Sequence, residues 1–445
     1  MKENIVVFSM AALMTVTAQG QSWTLQQCLD YATEHNIQVQ KNRLTEEENH
    51  QSLLQSKAAL LPSLSFSMSQ SMGYRPFQEA SVMVQNGMAT STNNKVTENG
   101  SYGLNANWNV WDGGVNRKNV EAQKVQQDIA ELQTEQSLNS IEEQIAQLYV
   151  QILYTIEAKK VNEQLCQTAK SQYERGLERL NVGDIAKADV AQLEAQLATA
   201  QYDIVNSQTQ IDGYKRQLKA LLQLDINTPF DVAETELADE RALEPIPAKA
   251  EVYDMALSHR PEIKSALRAQ DAANIQLDIA RRGYYPTVGV NAGIGDSHYS
   301  ASKDGFGEQV KRNLNGSIGL TVSVPILDNR RNKTAVEKAK VQRVSAALDL
   351  DNQRTTLGAN IENYWLQAVS AQQRFISAQT SVKSQETSYE LVNEQFQEGL
   401  KNIVDLLQAR DNMLNAQQNK LQSKYTTILN AQMLRFYAEG KMDLQ

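Results

Sequence analysis

The chain has 445 residues, a formal net charge of −9 and only 6% aromatic residues. This acidic balance argues against a nucleic-acid-binding surface and against a basic surface that binds anionic lipid. Few aromatic residues and a mean hydropathy of −0.49 leave little bulk for a large globular core. The composition therefore favours long, thin helices.

The N-terminus predicts export from the cytoplasm. Lys2 is followed by an uncharged, mostly apolar run from Ile5 to Val16 and then by Ala18-Gln19-Gly20. This pattern is typical of a secretory signal peptide, which we place at residues 1–20. The run has about 12 residues, whereas a membrane-spanning helix needs about 20. After the signal, the sequence offers no segment that is apolar enough to span a membrane as a helix.

The rest of the chain consists of two copies of an internal sequence repeat. Early in the pattern the two copies are offset by 224 residues, because Ala32–Asn36 matches Ala256–Arg260 and Pro62 matches Pro286. Later pairs are offset by 216 residues: Asp112 with Asp328, Gly183 with Gly399, and Asp189 with Asp405. The extra residues of the first copy fit the polar stretch 71–99, whose counterpart 295–314 is shorter. Surface loops tolerate such length changes.

The repeat predicts how the mature chain is divided. Repeat 1 covers residues 21–225 and repeat 2 covers residues 250–438, followed by a C-terminal tail at 439–445. The linker at 226–249 contains Pro229, Pro245 and Pro247, which interrupt any helix. Within each repeat we expect two strands and then a long helical hairpin. The predicted strands lie at about 62–71, 100–111, 286–295 and 315–325, and the hairpins at about 115–223 and 331–437.

The predicted strands show an alternation with a period of two residues. In the second of them, apolar Tyr102, Leu104, Ala106, Trp108 and Val110 alternate with glycine and asparagine. A soluble, half-buried sheet would give the same alternation. Three features favour transmembrane strands instead: a length of about 10 residues, small polar residues on the second face, and the export signal.

Four strands are too few to close a barrel, because small closed barrels begin at about eight strands. An open sheet edge cannot persist in lipid, since its main-chain groups would lack hydrogen-bond partners. Several copies of the chain must therefore combine. Two copies would give eight strands and three would give twelve, and the alternation alone does not choose between them.

The predicted hairpins contain unusually long helices. Ile141, Ile145, Leu148 and Ile152 keep spacings of three and four residues, which is a coiled-coil pattern. A single helix from 116 to 180 would be on the order of 100 Å long at about 1.5 Å per residue. The returning helix at 189–222 is shorter, so we expect the early helix near 39–60 to stack on its end.

The hairpins turn at Asn181-Val182-Gly183-Asp184 and at Gln397-Glu398-Gly399-Leu400. Glycine suits the left-handed conformation that ends a helix. An ordinary helical hairpin turn explains both glycines. Because the turns would lie at the far end of a tube, we also expect them to be a docking surface.

These features together resemble the TolC-like outer membrane efflux proteins over the whole span from Trp23 to about Tyr437. Each motif is weak alone, but their order and duplication are specific. The motifs are Thr24-Leu25 with Asn36, Leu61-Pro62, Tyr285-Pro286, Trp111-Asp112-Gly113-Gly114, Asn181-Val182-Gly183, Asp189-Val190, Gly399 and Ile403-Val404-Asp405.

The resemblance implies a mainly α fold with a small β part, in which a homotrimer forms a 12-stranded barrel and an α-helical tunnel. It implies a location in the outer membrane, in contact with its lipid, with the tunnel projecting into the periplasm. The implied function is a passive exit duct with no cofactor. Its implied partners are a periplasmic adaptor and an inner-membrane pump such as an RND or ABC transporter.

The resemblance also implies a gate at the hairpin end of the tunnel. Asp189 and Asp405 occupy its acidic positions and Lys401 a basic one, whereas Phe396 replaces a tyrosine and Gln408 replaces a second acid. Ala188 likewise replaces a hydroxyl residue. We expect Lys401 to pair with Asp189, and three Asp405 side chains to form a ring that favours cations. Solvated charges on a helix face are the alternative explanation. The adaptor would dock on Asn181, Val182, Gly183, Glu398, Gly399 and Leu400.

Two other classes of protein remain open from sequence. A soluble periplasmic coiled-coil adaptor or scaffold would explain the helices but not the alternating strands. An enzyme finds little support, because the sequence offers no phosphate-binding loop or nucleophile motif. Its cysteines and histidines have no metal-ligand spacing: Cys28, Cys166, His35, His50, His259 and His298. The exported substrate is not specified by the sequence.

Overall fold

The computed structural model describes residues 22–77, 81–85, 88–92, 95–235, 237–300 and 304–442. The predicted signal peptide lies outside these residues. The chain divides into two compact units. The strand unit comprises the described residues within 43–133 and 264–353, and the helical unit comprises the described residues within 1–42, 134–263 and 354–445.

The described elements of the first copy follow the predicted order of helices, strands and helical hairpin. They are β1 (Ser22–Trp23), α1 (Leu25–His35), α2 (Ile37–Ala58), β2 (Ser63–Tyr74), β3 (Ser81–Gln85), β4 (Met88–Thr92), β5 (Val96–Trp111), α3 (Val115–Asn181) and α4 (Lys187–Leu221).

The linker holds a short strand and a 3-10 helix, and the second copy then repeats the order of the first. These elements are β6 (Asp231–Val232), the 3-10 helix Asp239–Leu243, α5 (Lys249–His259), α6 (Pro261–Arg282), β7 (Thr287–Tyr299), α7 (Phe306–Asn313), β8 (Asn315–Ser323), α8 (Arg331–Gln397) and α9 (Ile403–Glu439).

Element boundaries reproduce the two offsets found in the sequence. Helix α5 begins at residue 249 where α1 begins at 25, an offset of 224, and α8 begins at 331 where α3 begins at 115, an offset of 216. Between these points the copies differ. The first copy carries the β3–β4 hairpin, whereas the second carries the eight-residue helix α7. Strands β2, β5 and β7 also extend further into these connections than their alternation predicted.

The strand unit is built on a four-stranded antiparallel sheet in the order β2-β5-β7-β8. The register places apolar residues in rows across all four strands. Leu64 lies opposite Ala106, which lies opposite Ala292 and then Ile318. One position away, a row of polar and small residues runs along the other face: Ser63, Asn107, Asn291 and Gly319.

The apolar face of the sheet (Leu64, Phe66, Leu320 and the residues in register with them) is exposed in the single chain. Phe66 is 66% exposed and Leu320 is 68% exposed. Such a surface on an isolated soluble protein would be a large apolar patch, which marks an interaction surface or a membrane-facing one.

In each copy an aspartate lies between the second strand and the long helix that follows, and it caps the start of that helix. Asp112 accepts hydrogen bonds from Gly114 N at 3.0 Å and Asn116 N at 2.8 Å. Its repeat equivalent, Asp328, accepts from Asn332 N at 2.8 Å. These carboxylates satisfy the free N–H groups at the helix start.

The helical unit ties the chain's N-terminal segment to the linker. Trp23 of β1 pairs with Val232 of β6 in a short parallel ladder, and Tyr149 donates its hydroxyl to Ala233 O at 3.1 Å. On α9, the buried Lys424 lies 3.2 Å from Asp239 in the linker and 3.6 Å from Glu157. Paired charges of this kind fix the linker against the hairpin helices.

The residue just before α2 is hydrogen-bonded to the end of α4. Asn36 donates from Nδ2 to Leu221 O, at the end of α4, at a distance of 2.9 Å. Its Oδ1 accepts from Gln38 N at 2.8 Å, at the start of α2. One side chain thus joins the end of α4 to the beginning of α2.

Candidate gate and docking tips

The hairpin turns are two copies of one helix-ending motif. In the first turn, Gly183 has φ +79°, its N–H bonds to Leu180 O at 3.0 Å, and Asp184 N bonds to Arg179 O at 2.8 Å. This pair of bonds is a Schellman motif, which needs a left-handed residue after the helix. A side chain at Gly183 would meet open space, so backbone conformation rather than packing explains the glycine.

The second turn has the same geometry at equivalent positions. Gly399 has φ +73°, its N–H bonds to Phe396 O at 3.2 Å, and Leu400 N bonds to Gln395 O at 2.8 Å. At both turns a neighbour of the glycine leaves an apolar side chain in solvent: Val182, before Gly183, is 80% exposed, and Leu400, after Gly399, is 76% exposed. The predicted docking residues are therefore accessible in the single chain.

An apolar cluster holds the two hairpins together just behind the turns. It draws on all four long helices, with Leu165 from α3, Leu193 from α4, Tyr389 from α8 and Leu406 from α9. Leu193 and Leu406 are almost completely buried. Burying a leucine side chain contributes about 1.5–3 kcal/mol, so this cluster fixes the positions of both turns.

Arg179 links the two turns and was not identified from the sequence. Its Nε donates to Asp184 Oδ2 at 2.5 Å within the first turn. Its Nη1 donates to Phe396 O at 3.2 Å in the second hairpin, and its guanidinium lies 5.6 Å from the centre of the Phe396 ring. Only the local Arg179–Asp184 spacing is visible in the sequence, because the contact with Phe396 joins residues 217 positions apart.

The charged gate residues are arranged differently from the predicted pairing. Lys401 Nζ lies 3.7 Å from Oδ2 of Asp405, which follows it by four residues. Asp189 instead accepts a hydrogen bond from Ala186 N at 3.3 Å, at the start of α4. Within one chain, Lys401 is therefore paired with Asp405 and not with Asp189. Lys401 lies in the turn just before α9 and Asp405 lies in the first turn of that helix, so the contact is local in sequence.

The remaining gate positions do not provide charged links in the single chain. Phe396 is half-buried and packs against the apolar cluster behind the turns. Gln408 donates to Asn412 Oδ1 at 3.0 Å on the surface of α9. Ala188, which replaces a hydroxyl residue, is exposed on α4.

A layer of buried polar side chains lies beside the apolar cluster, and the sequence analysis did not predict it. Gln172 donates to the Tyr389 hydroxyl at 3.0 Å and to Asn393 Oδ1 at 3.2 Å. Arg410 is buried and donates to Asp411 at 3.0 Å. Burial lowers the pKa of Arg410 and raises the pKa of Tyr389. Polar groups at otherwise apolar helix positions specify register more than stability.

The described residues offer little for metal or cofactor binding. They contain no group of three or more His, Cys, Asp or Glu that could hold a metal ion. His35 and His259 lie in the last turns of α1 and α5, each with Nδ1 near the carbonyl four residues earlier, at 3.1 and 2.8 Å. Cys28 is fully buried, which raises its pKa to about 12, and both cysteines are free thiols. Among the helices that the structure describes, none is both long and apolar enough to cross a membrane.

Comparison with known proteins places both copies of the repeat in one family. The sequence model described as "Outer membrane efflux protein" matches residues 28–223 and 252–438. TolC of Salmonella enteritidis is 25% identical over 312 residues, which cover 67% of this chain and 61% of TolC. The chain thus aligns with about three fifths of the length of that relative.

Solved structures share the fold at low sequence identity. CusC superposes with a TM-score of 0.79 at 16% identity, covering 95% of each chain. VceC from Vibrio cholerae superposes with a TM-score of 0.75 at 20% identity, covering 93% of this chain and 96% of VceC. The predicted fold class, mainly helical with a small sheet and two tandem repeats, is confirmed.

Proposed function

Because the chain belongs to the outer membrane efflux protein family and is an outer-membrane protein, we propose that it forms the exit duct of a tripartite efflux or secretion system. In this role it passively conducts substrate from an inner-membrane pump and a periplasmic adaptor across the periplasm and outer membrane. It carries out no reaction and needs no cofactor.

The open edges of the sheet support this proposal most directly. Within the described residues, β2 and β8 each pair with a strand on one side only. Their exposed apolar residues, such as Phe66 and Leu320, face the same side of the sheet as those of β5 and β7. Three copies would supply twelve strands, enough to close a barrel with no edge in lipid. The proposed assembly is a homotrimer with an apolar outer face and a polar lumen, in which the number three comes from the resemblance to the family and not from the strands alone.

Aromatic side chains are placed as expected for a barrel that crosses a bilayer. Trp111 is 47% exposed at the end of β5, and Tyr284 and Tyr285 are about half exposed beside the start of β7. These residues share one end of the sheet. A second aromatic level lies further along β5. Tyr102 is on the same face of this strand as Trp108 and six residues before it, which is roughly 20 Å along the strand. Two aromatic girdles at membrane interfaces are typical of transmembrane barrels.

The two hairpin turns are the proposed adaptor-docking surface. It comprises Asn181, Val182, Gly183, Glu398, Gly399 and Leu400. Exposed Val182 and Leu400 would supply the apolar anchors. Glu390 and Glu394 at the end of α8 and Glu398 in the turn after it follow one another at four-residue spacing and are exposed. An adaptor with apolar pockets flanked by basic side chains would complement this surface.

The proposed gate is formed where the turns of three copies meet. Three Asp405 carboxylates would line the entrance and favour cations. Lys401 would reduce the negative charge at this entrance through its contact with Asp405, rather than through a pair with Asp189. Phe396, Ala188 and Gln408 leave the entrance with few polar links, so the apolar cluster and Arg179 hold its closed form.

Purification from membranes and planar-bilayer recording test the proposal. We expect the protein in the outer-membrane fraction as a trimer that dissociates on heating in SDS, with discrete channel conductance after reconstitution. Recovery as a soluble periplasmic monomer without conductance would contradict the duct and support the scaffold alternative. Loss of substrate export when the gene is deleted, restored by the native chain, provides the cellular control.

A further inference from the structure

A short amphipathic helix, α7, lies in the connection between β7 and β8. Where the first copy has the β3–β4 hairpin, the second copy has this helix. Its Gln309 is buried, whereas Glu308, Lys311 and Arg312 are exposed. The long helix α3 follows the Trp111 end of β5, so α7 lies at the opposite end of the strands. In a duct whose long helices project into the periplasm, this is the outer end.

Aromatic contacts place α7 on the apolar face of the sheet. The His298 ring stacks on the Tyr102 ring with centroids 5.7 Å apart, and the Phe306 ring of α7 meets the His298 ring edge-on at 5.1 Å. A Cβ on Gly100, the residue opposite His298, would lie only 2.2 Å from the imidazole. The glycine therefore leaves room for the imidazole to lie over β5, on the face that carries Leu104.

Helix α7 lies across strand β7 rather than along it. Phe306 at its start contacts His298, and Asn313 at its end donates from Nδ2 to Ser297 O at 2.5 Å. Between Phe306 and Asn313 the helix rises about 10 Å. Its contacts on β7 shift by only one residue, about 3 Å of strand. The whole of α7 is thus held at one height on the sheet.

That height coincides with the end of the apolar band. On the apolar face, the rows of residues run from Val288, opposite Val322, to Asp296, opposite Tyr102. This stretch matches the about 9–11 residues with which a tilted strand crosses the hydrocarbon core. The next row on that face holds His298, which α7 contacts. Helix α7 therefore lies where the hydrocarbon core gives way to lipid head groups.

The surface that α7 turns away from the sheet is polar and carries two cations. The side chains of Lys311 and Arg312 are 77% and 65% exposed, and they pair with Glu308 and Asp304 on the same surface. Exposed ion pairs contribute little to stability, so both cations can exchange these partners for phosphate oxygens, which bind them more strongly. Beside this polar surface, Phe306 is 57% exposed.

We propose that α7 is an interfacial helix in the head-group layer of the outer leaflet, with Phe306 at the acyl boundary and Lys311 and Arg312 against lipid phosphates. The occupant of this surface is the membrane, because the apolar face of the sheet continues directly into it. Amphipathic helices with basic polar sides bind membrane interfaces in this way. The inference rests on the proposed function in one respect, which is that the sheet crosses the outer membrane.

Spin labels at single cysteines measure the depth of α7 in the membrane. In phosphatidylglycerol nanodiscs, collisions with oxygen increase towards the bilayer centre, and collisions with a water-soluble nickel chelate increase towards water. We expect the label of F306C to lie between that of L104C, on the apolar face, and that of I226C, in the exposed linker. The label of K311C should be closer to water than that of F306C.

The outcomes separate this inference from the proposed function. A label at F306C that is as accessible to nickel as that of I226C would show α7 in water and overturn the inference. Shielding of F306C from both reagents would also overturn it, because a protein surface would then cover α7. A nickel-accessible L104C would instead contradict the proposed function. The native chain, with free Cys28 and Cys166, gives the background.

A second measurement tests the charges. Adding lipid A, a phosphorylated glycolipid, to the protein in neutral detergent should raise the temperature at which the trimer dissociates in SDS. K311E should lose more than half of this rise, whereas E308K should keep or increase it. Both substitutions break the Lys311–Glu308 pair, so only the sign of the added charge differs between them. Equal losses in the two variants, or a full rise in K311E, would overturn the contact with phosphates.

Discussion

The guanidinium carbon of Arg260 lies 4.2 Å from the centre of the Tyr437 ring. This contact joins the start of α6 to the end of α9. At the equivalent positions of the first copy, Asn36 bonds to the main chain at Leu221. Equivalent helix ends are thus connected by different interactions in the two copies. The second copy uses a cation–π contact, and the first copy uses a hydrogen bond from an amide side chain.

Replacing Arg260 is expected to lower the free energy of unfolding more than replacing Asn36. Arg260 is buried, and its Nε lies 2.9 Å from Glu262 while its Nη2 lies 3.6 Å from Glu143. Burial raises the pKa of Glu143, and Arg260 opposes that rise. Arg260→Ala would leave two carboxylates in a desolvated site and lower the free energy of unfolding by about 3–5 kcal/mol. Urea unfolding of the purified protein measures this.

Neutralising the carboxylates provides the control. Adding Glu143→Gln and Glu262→Gln to Arg260→Ala should recover more than half of the loss, because no unpaired charge then remains. Arg260→Lys should be intermediate, since the ammonium keeps the charge but not the planar stack. A loss below about 1 kcal/mol in Arg260→Ala, the value of an exposed pair, would contradict the buried network.

Glu142 should make the stability of the protein depend on pH. Burial raises its pKa to about 7, Arg260 opposes that rise, and Asp30 and Glu143 add smaller increases. In the unfolded chain the group titrates near its ordinary value of 4.5. Between these two values the folded chain holds more protons than the unfolded chain, so stability falls as pH rises from about 4.5 through 7. Glu142→Gln should remove this slope and stabilise the protein above pH 7.

Thermal unfolding followed by circular dichroism at several pH values measures the effect. The gain for Glu142→Gln above pH 7 should be on the order of 2–3 kcal/mol, the free energy of a shift of that size. Glu135→Gln, an exposed glutamate of the same helix, is the control and should leave the profile unchanged. Identical profiles for both variants would contradict a buried, protonated Glu142.

Arg179 should keep the two turns in their closed arrangement. Arg179→Ala removes its ion pair with Asp184, its bond to Phe396 O and its contact with the Phe396 ring. Because these contacts join the two hairpins, we expect a higher closed-state conductance in planar bilayers. Arg175→Ala, an exposed arginine one turn earlier, should conduct like the native channel. Equal conductance of both variants would show that Arg179 does not hold the turns.

Asp405 should set the ion selectivity of the entrance. Replacing three carboxylates by amides in Asp405→Asn should reduce the preference for cations, read from the reversal potential under a salt gradient. Asp212→Asn, an exposed aspartate of α4, should leave the reversal potential unchanged. A native reversal potential in Asp405→Asn would rule out an Asp405 ring.

The exposed apolar side chains of the turns should be needed for export but not for assembly. Val182→Asp combined with Leu400→Asp places charge on the proposed docking surface. Export should fall about tenfold or more, since a loss of 1.4 kcal/mol in docking is already tenfold. The heat-sensitive trimer should persist. Ile226→Asp, at an 87% exposed apolar position of the linker, is the control, and an equal fall there would contradict a specific docking site.

The sequence by itself determined the repeat, the strand faces and the turns, because these depend on local rules. Period-two alternation assigns Leu64 and Ser63 to opposite faces whatever lies beside them. Glycine at 183 and 399 marks a left-handed residue without reference to any neighbour. The offsets of 224 and 216 likewise needed only the chain order.

Tertiary structure decided which side chains meet across the hairpins. Arg179 reaches Phe396, Gln172 reaches Tyr389, and Arg260 stacks on Tyr437, and each of these pairs is separated by well over one hundred residues. Lys401 pairs with Asp405 because the turn that ends at Asn402 brings it next to the first turn of α9, a local contact between residues only four apart. Long-range contacts depend instead on the rotation and register of packed helices, and small polar and charged residues on wet helices leave these weakly specified in sequence.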